Sequence, residues 1–272
     1  MIHSGKRLLA AMPFAALPFA SNVASAPAPR VDGYVIAMTV SAQATGMPPM
    51  QLTLKVAGAK LRIDADMKSI VGGGGDATMA GAFMLPQDDG RIAMILPNMQ
   101  NPFGGGMGMG MIMDMQSMSG AMRDMGVGMD ITDMKVDAVN LGAGETILGW
   151  KTTHYKLTQK YLMGGKPYEG VSEIWVTTDM SDANSALKKF QETFGMNFVG
   201  AATSPEVKAE MVAKTPPGFW LRAIINMTTP DGPQKATIEA TKIEKASINE
   251  KDFEVPAGLQ LMDMAQMMKR GD

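Results

Sequence analysis

Methionine is the residue type in this chain whose number and spacing could do chemistry. The chain has 29 methionines in 272 residues and no cysteine. Eleven of these methionines fall between Met99 and Met134. Thioether sulfur is a soft ligand that favours Cu(I), and the methionine side chain is also flexible and polarizable, which suits an adaptable apolar surface. The sequence therefore points to a soft-metal site or to a surface for hydrophobic ligands.

The second half of this segment has the spacing of one helix face. From residue 111 the methionines recur in alternating steps of four and three residues, which places six thioethers on one side of a helix. We expect this helix to act as an adaptable lid over a site for hydrophobic ligands. The six lid residues are Met111, Met115, Met118, Met122, Met125 and Met129.

The first half alternates methionine with glycine, isoleucine and aspartate, a pattern that a helix does not explain. Met-x-Met and Met-x-x-Met spacings can bring two or three sulfurs together, so a site for Cu(I) or Ag(I) is an alternative. The alternative metal ligands are Met107, Met109, Met113, Met115 and Met118. A third interpretation is a flexible, low-complexity segment, because eight glycines between residues 104 and 128 each disfavour a helix by about 1 kcal/mol.

Few residues offer catalytic chemistry. His154 is the only histidine after the leader, and as a general base it would need a nucleophile and an orienting carboxylate. Its neighbours Thr153 and Tyr155 should point to the opposite face of a strand, so nothing local supports a catalytic triad. The sequence has no serine-hydrolase elbow, zinc-protease motif or phosphate-binding loop. We therefore expect a non-enzymatic protein with no cofactor.

The N-terminus has the features of a secretory signal peptide. Lys6 and Arg7 precede an apolar run at residues 8–20, and residues 24–26 give a small-x-small cleavage pattern. We expect cleavage near Ala26 and a periplasmic or secreted protein with no stable membrane anchor in the mature chain. The net charge of −2, without a cluster of lysine and arginine, argues against nucleic acid as a partner.

The elements that would position these residues are mostly strands. Alternating apolar residues predict strands at residues 34–44, 51–56, 60–65, 83–85, 91–96, 134–141, 152–160, 171–177, 219–229 and 234–247. Helices are predicted at residues 182–194 and 205–213, with a last short helix at 259–268.

Short connections favour antiparallel pairing, and a sheet with one apolar face needs a cover. We therefore predict one α+β domain at residues 27–272, with a methionine- and glycine-rich insert at 99–134. It would be a mainly antiparallel, curved half-barrel with helices over its concave face. A closed β-barrel is the alternative.

Three stretches resemble an uncharacterised bacterial family of periplasmic domains of unknown function. They are ILGWKTTHY at residues 147–155, EIWVTTD at 173–179 and FEVPAGL at 253–259. That family is similar to the LolA and LolB lipoprotein carriers, half-barrels whose helices cap a hydrophobic groove. The resemblance implies a carrier for a lipid-like or other hydrophobic ligand, with an envelope lipoprotein as a further partner. The chain departs from LolA by beginning on a strand and from LolB by lacking the lipobox cysteine.

Overall fold

The computed structural model describes residues 29–42, 48–65, 81–100, 107–114, 131–190, 213–230, 232–259 and 261–263. Within these residues, twelve strands form one sheet. The strands are β1 Arg30–Ala42, β2 Met50–Ala57, β3 Lys60–Ala65, β4 Phe83–Pro86, β5 Ile92–Gln100, β6 Met107–Met113, β7 Ile131–Ala143, β8 Thr153–Met163, β9 Lys166–Thr177, β10 Phe219–Thr229, β11 Gly232–Asn249 and β12 Leu261–Asp263. The helix α1 spans Ser181–Phe190, and a 3-10 helix, η1, spans Glu250–Phe253.

The sheet consists of two antiparallel meanders. Strands β1 to β6 follow one another in space, as do β7 to β11, and β1 pairs with β11 to join the two sets. Strand β12 then pairs with β6 in the parallel direction. The prediction of a mainly antiparallel sheet is confirmed. The described sheet is open, with edges at β7 and β12, so the alternative of a closed barrel is wrong.

Most predicted elements lie where the sequence placed them. All ten predicted strands are present, and the first predicted helix is present as α1. The helix predicted at residues 259–268 is wrong in its described part, because Leu261–Asp263 forms a strand. The signal peptide and most of the helix predicted at 205–213 lie outside the described residues.

Helix α1 covers one face of the sheet at β1, β2, β3 and β10. Ala183 and Ala186 are fully buried on this helix, and their small side chains let it lie close to the strands. Beneath it are branched residues such as Ile36 and Ile63, which favour strands and pack rigidly. This region is the main hydrophobic core.

The opposite face of β3 to β6 is covered by the C-terminal strap, which we define as residues 250–259 and 261–263. Polar contacts hold its first part, because the Nζ of Lys55 lies 2.8 Å from a carboxylate oxygen of Asp252. Apolar contacts hold the rest. The strap residues Val255, Leu259 and Leu261 pack against a buried cluster formed by Phe83, Leu85, Ala93 and Ile95.

Glycines in β6 make room for the strap. A Cβ at Gly110 would overlap Cδ2 of Leu261 and would lie 3.0 Å from Cδ2 of Leu259. A Cβ at Gly108 would lie 3.1 Å from Cδ1 of Leu259. The alternation of glycine with methionine therefore has a packing reason, because the glycine face of β6 receives the leucines of the strap.

The first testable prediction concerns Gly33 in β1. A Cβ there would overlap the backbone oxygen of Val56, whereas a Cβ at Gly170 would be 3.8 Å from its nearest neighbour, on Gln159. We expect Gly33→Ala to lower the free energy of unfolding by about 1–3 kcal/mol, because β2 must move. The control Gly170→Ala should leave it unchanged or raise it. Urea unfolding followed by circular dichroism measures both, and equal effects would contradict the close approach of β1 and β2.

The second prediction concerns Gly110. We expect Gly110→Val to displace Leu261 and release β12 from β6, so that amide hydrogens of residues 261–263 exchange faster. The control Ile112→Val, on the same face of the same strand, adds no volume and should leave that exchange slow. Hydrogen–deuterium exchange with mass spectrometry measures both variants. Unchanged exchange in Gly110→Val would show that the strap does not depend on the glycine face.

Candidate functional site

One row of apolar side chains crosses eight strands of the sheet. Residues directly opposite each other in paired strands lie on the same face. Followed from β11 to β12, the pairing places eight apolar residues in one line. They are Ile243, Ile36, Leu54, Ile63, Met84, Met94, Met111 and Met262.

The side-chain type changes along the row, from branched aliphatic residues to methionine. Ile36, Leu54 and Ile63 belong to the core beneath α1, and each is at most 4% exposed. From β4 onward every position is a half-buried methionine. We call Met84, Met94, Met111 and Met262 the methionine row. Met84 packs against the edge of the α1 core, so the row extends that core towards the β12 edge of the sheet.

A tight turn between β4 and β5 sets the register of the first two methionines. Gly90 adopts a φ of +81°, which glycine tolerates, and its amide donates to the backbone oxygen of Gln87 at 3.1 Å. A carboxylate oxygen of Asp89 accepts a hydrogen bond from the Arg91 side chain at 2.7 Å. This contact lowers the pKa of the Asp89 carboxyl. The turn brings Met84 opposite Met94.

Strand β6 supplies the third methionine together with two neighbours. Met109, Met111 and Met113 alternate with Gly108, Gly110 and Ile112, so the three methionines share the face of the row. Met111 therefore has a methionine on each side across the sheet and one at each second position along its own strand. Together with Met84, Met94 and Met262, the three methionines of β6 form a surface of six uncharged side chains.

The structure places Met111 outside any helix, while its predicted contact with a hydrophobic ligand stays a prediction. This residue lies in a strand rather than at the start of a helix, because period-two packing of β6 between β5 and β12 overrides the helical spacing. The remaining lid residues, Met115, Met118, Met122, Met125 and Met129, lie outside the described residues.

Of the five alternative metal ligands, three lie in β6 and two lie outside the described residues. Met109 and Met113 lie on the face of the methionine row, and the backbone of Met107 begins β6. Met115 and Met118 lie outside the described residues. Met84 and Met94 are not among the residues predicted from the sequence. Their signal in the sequence is that each lies five residues from Asp89, which is in the middle of the turn.

The polar residues of the other meander form no catalytic arrangement among the described residues. His154 lies on β8, where its ring stacks on Trp175 with centroids 4.4 Å apart and its Nε2 lies 3.1 Å from Glu173. Arg222 pairs with Glu239 at 2.6 Å and with Glu145. No serine or threonine hydroxyl in the described residues is hydrogen-bonded to His154. These contacts bind neighbouring strands together.

The described part of the chain contains no group of three or more histidine, aspartate or glutamate side chains placed to hold a metal ion. None of its helices has the length and apolar character needed to cross a membrane.

Three solved structures are similar to this chain at low identity. PNGF-II in space group C2 is 11% identical over 88% of this chain and 32% of that chain, with a TM-score of 0.43. The LolA superfamily protein NE2245 from Nitrosomonas europaea is 8% identical over 84% of this chain and 92% of that chain, with a TM-score of 0.29. A putative outer membrane lipoprotein-sorting protein domain from Vibrio parahaemolyticus is 10% identical over 82% and 89%, with a TM-score of 0.24.

At these TM-scores the likenesses carry no conclusion about function. This chain also spans only about a third of the length of the PNGF-II chain. The curated protein sequences contain no match to it. A family match is extensive, however, because residues 33–259 match the family described as "Domain of unknown function (DUF4412)". This range runs from β1 to the strap and contains all of the methionine row except Met262. The expectation of a family of unknown function is thereby confirmed, and the chain belongs to the DUF4412 family.

Proposed function

We propose that this protein is an exported, non-enzymatic carrier or binding protein for a lipid-like or otherwise hydrophobic ligand. The ligand would lie against the methionine row. The observation that supports this proposal is the change of side-chain type along one row of the sheet, from buried branched residues beneath α1 to half-buried methionines on β4, β5, β6 and β12.

The branched residues beneath α1 and the methionines of the row differ in the flexibility of their side chains. Ile36 and Ile63 have restricted side-chain rotations and suit a permanent core. Methionine has three rotatable side-chain bonds and a polarizable sulfur, so it adapts to irregular apolar partners. Proteins that bind many apolar partners use methionine-rich surfaces that can repack. A surface of six adjoining methionines therefore favours a variable hydrophobic ligand over one fixed shape.

The charge distribution restricts the ligand further. The other residues beside the row on β5, Ile92 and Leu96, are also uncharged. Charged residues of the neighbouring strands, such as Lys55 and Arg62, lie on the face of the strap. A ligand on the methionine row would therefore be held through its apolar part. Acyl chains meet this requirement, because each buried methylene contributes about 0.8 kcal/mol.

We also propose a shape for the sheet, a lid, a cleavage site and a partner, each of which the sequence predicts. The sheet would curve into a half-barrel with the methionine row on its concave side. Residues 115–129, outside the described part of the chain, would supply the adaptable lid. Signal peptidase would cleave near Ala26, and an envelope lipoprotein is a further candidate partner in the periplasm.

The third testable prediction follows from the chemistry of the row. We expect the double substitution Met94→Gln with Met111→Gln to weaken binding of the fluorescent fatty acid cis-parinaric acid by about tenfold or more. Glutamine has a similar length to methionine, but its amide must lose water when an acyl chain covers it. Fluorescence titration of the mature protein measures the affinity, with circular dichroism to check that the fold is retained.

The matched control is Met163→Gln. Met163 is also half-buried on a strand, but it packs against the cluster of β7 and β8 at the other end of the sheet. This variant should bind the probe with native affinity. Equal affinities for the native protein and the double variant would contradict the proposal. Native mass spectrometry of protein purified from its own host should in addition show a bound lipid.

A further inference from the structure

We propose that the methionines around Met111 form a binding site for a soft monovalent cation, Cu(I) or Ag(I), with Met94, Met111 and Met262 as ligands. The site goes beyond the proposed carrier function, because it takes a different chemical class of ligand. Its residues also differ from the consecutive Met-x-Met set that the sequence suggested. They come from β5, β6 and β12, which are separated by up to 168 residues along the chain.

The pairing of the strands brings the three sulfurs within reach of one ion. Neighbouring strands lie about 4.8 Å apart, and Met111 is directly opposite Met94 on one side and Met262 on the other. The sulfur follows two methylene groups, so the outer two side chains can lean towards the central one. Met109 and Met113 are at second positions on the same strand, about 7 Å from Met111, and border the site.

The ligand set selects the ion. Thioethers are neutral and soft, and they favour Cu(I) over Zn²⁺, Mg²⁺ or Ca²⁺, which prefer imidazole, thiolate or oxygen ligands. The six positions of the surface offer no carboxylate and no imidazole. Ag(I) has the same preference for sulfur and does not change its oxidation state in air, so it reports on the site without a reductant.

The geometry at Met111 distinguishes this site from the other methionines of the described chain. Met38 and Met180 are buried in the α1 core among aliphatic and aromatic side chains, where a cation would lose its water without gaining several sulfurs. Met163 packs against the buried cluster that includes Ile131 and Tyr161. Met94 and Met111 are the two described methionines that have methionine on both neighbouring strands. Of these two, Met111 also has methionine at both second positions along its own strand.

The fourth testable prediction is a titration of the mature protein with silver nitrate in a chloride-free buffer, followed by isothermal calorimetry. We expect one tight site per chain. Met111→Leu keeps an apolar side chain of similar volume but removes the central sulfur. It should weaken Ag(I) binding by roughly 10- to 100-fold or more, because loss of a residue that only supports a metal ligand already has an effect of this size. Met163→Leu is the control and should bind Ag(I) with native affinity.

A second measurement locates the ion directly. In the protein labelled with ¹³C at the methionine methyl groups, stoichiometric Ag(I) should shift the resonances of Met94, Met111 and Met262, each assigned through its leucine variant. The proposal is overturned if native protein binds no Ag(I), or if Met111→Leu binds it as tightly as native protein. It is also overturned if the shifted resonances belong to other methionines. These failures are separate from failure of the carrier function, which is read from cis-parinaric acid binding without metal.

Discussion

The pairing of β1 with β11 is the interaction on which the rest of the structure depends. Each meander can form from local hairpins, but only this ladder, from Arg30–Asn249 to Ala42–Ala236, joins them into one sheet. It also directs the chain after β11 across the strap face to β6, so that β12 can pair there. Ile36 is opposite both Ile243 and Leu54, and this double register begins the row that ends at Met262. A shift of one residue at β1 would move one half of the row to the opposite face.

The row explains how one sheet can combine a permanent core with an adaptable surface. Where α1 lies on the strands, buried alanines meet branched residues, and the packing is close and fixed. Beyond Ile63 the same line continues in methionine, whose flexibility is of little use in a rigid core but suits changing partners. The strap makes this possible by covering the other face. Its leucines fill the space at Gly108 and Gly110, so β6 is held in place from the face opposite its methionines.

Local features of the sequence predicted the strands well, and the methionine helix poorly. The β4–β5 hairpin could be predicted because Asp89 and Gly90 supply both the turn conformation and its side-chain hydrogen bond. At residues 107–113 two periods competed, since Met111 fits both a helical spacing and an alternating one. Packing between β5 and β12 decided in favour of the strand. The sequence could not show this, because β12 is three residues long and pairs with a strand about 150 residues earlier. Within the methionine row only the pair of Met111 and Met262 is so distant in sequence, whereas the other two pairs join consecutive strands.

The central claim is that the methionine row contacts a hydrophobic ligand. The most direct test is to measure intermolecular nuclear Overhauser effects between ¹³C-labelled methionine methyl groups and bound oleic acid. The account predicts contacts from the acyl chain to Met84, Met94, Met111 and Met262, and none to Met38 or Met180, which are buried beneath α1. Contacts confined to methionines outside the row, or bound oleic acid with no contact to any methionine methyl group, would contradict it.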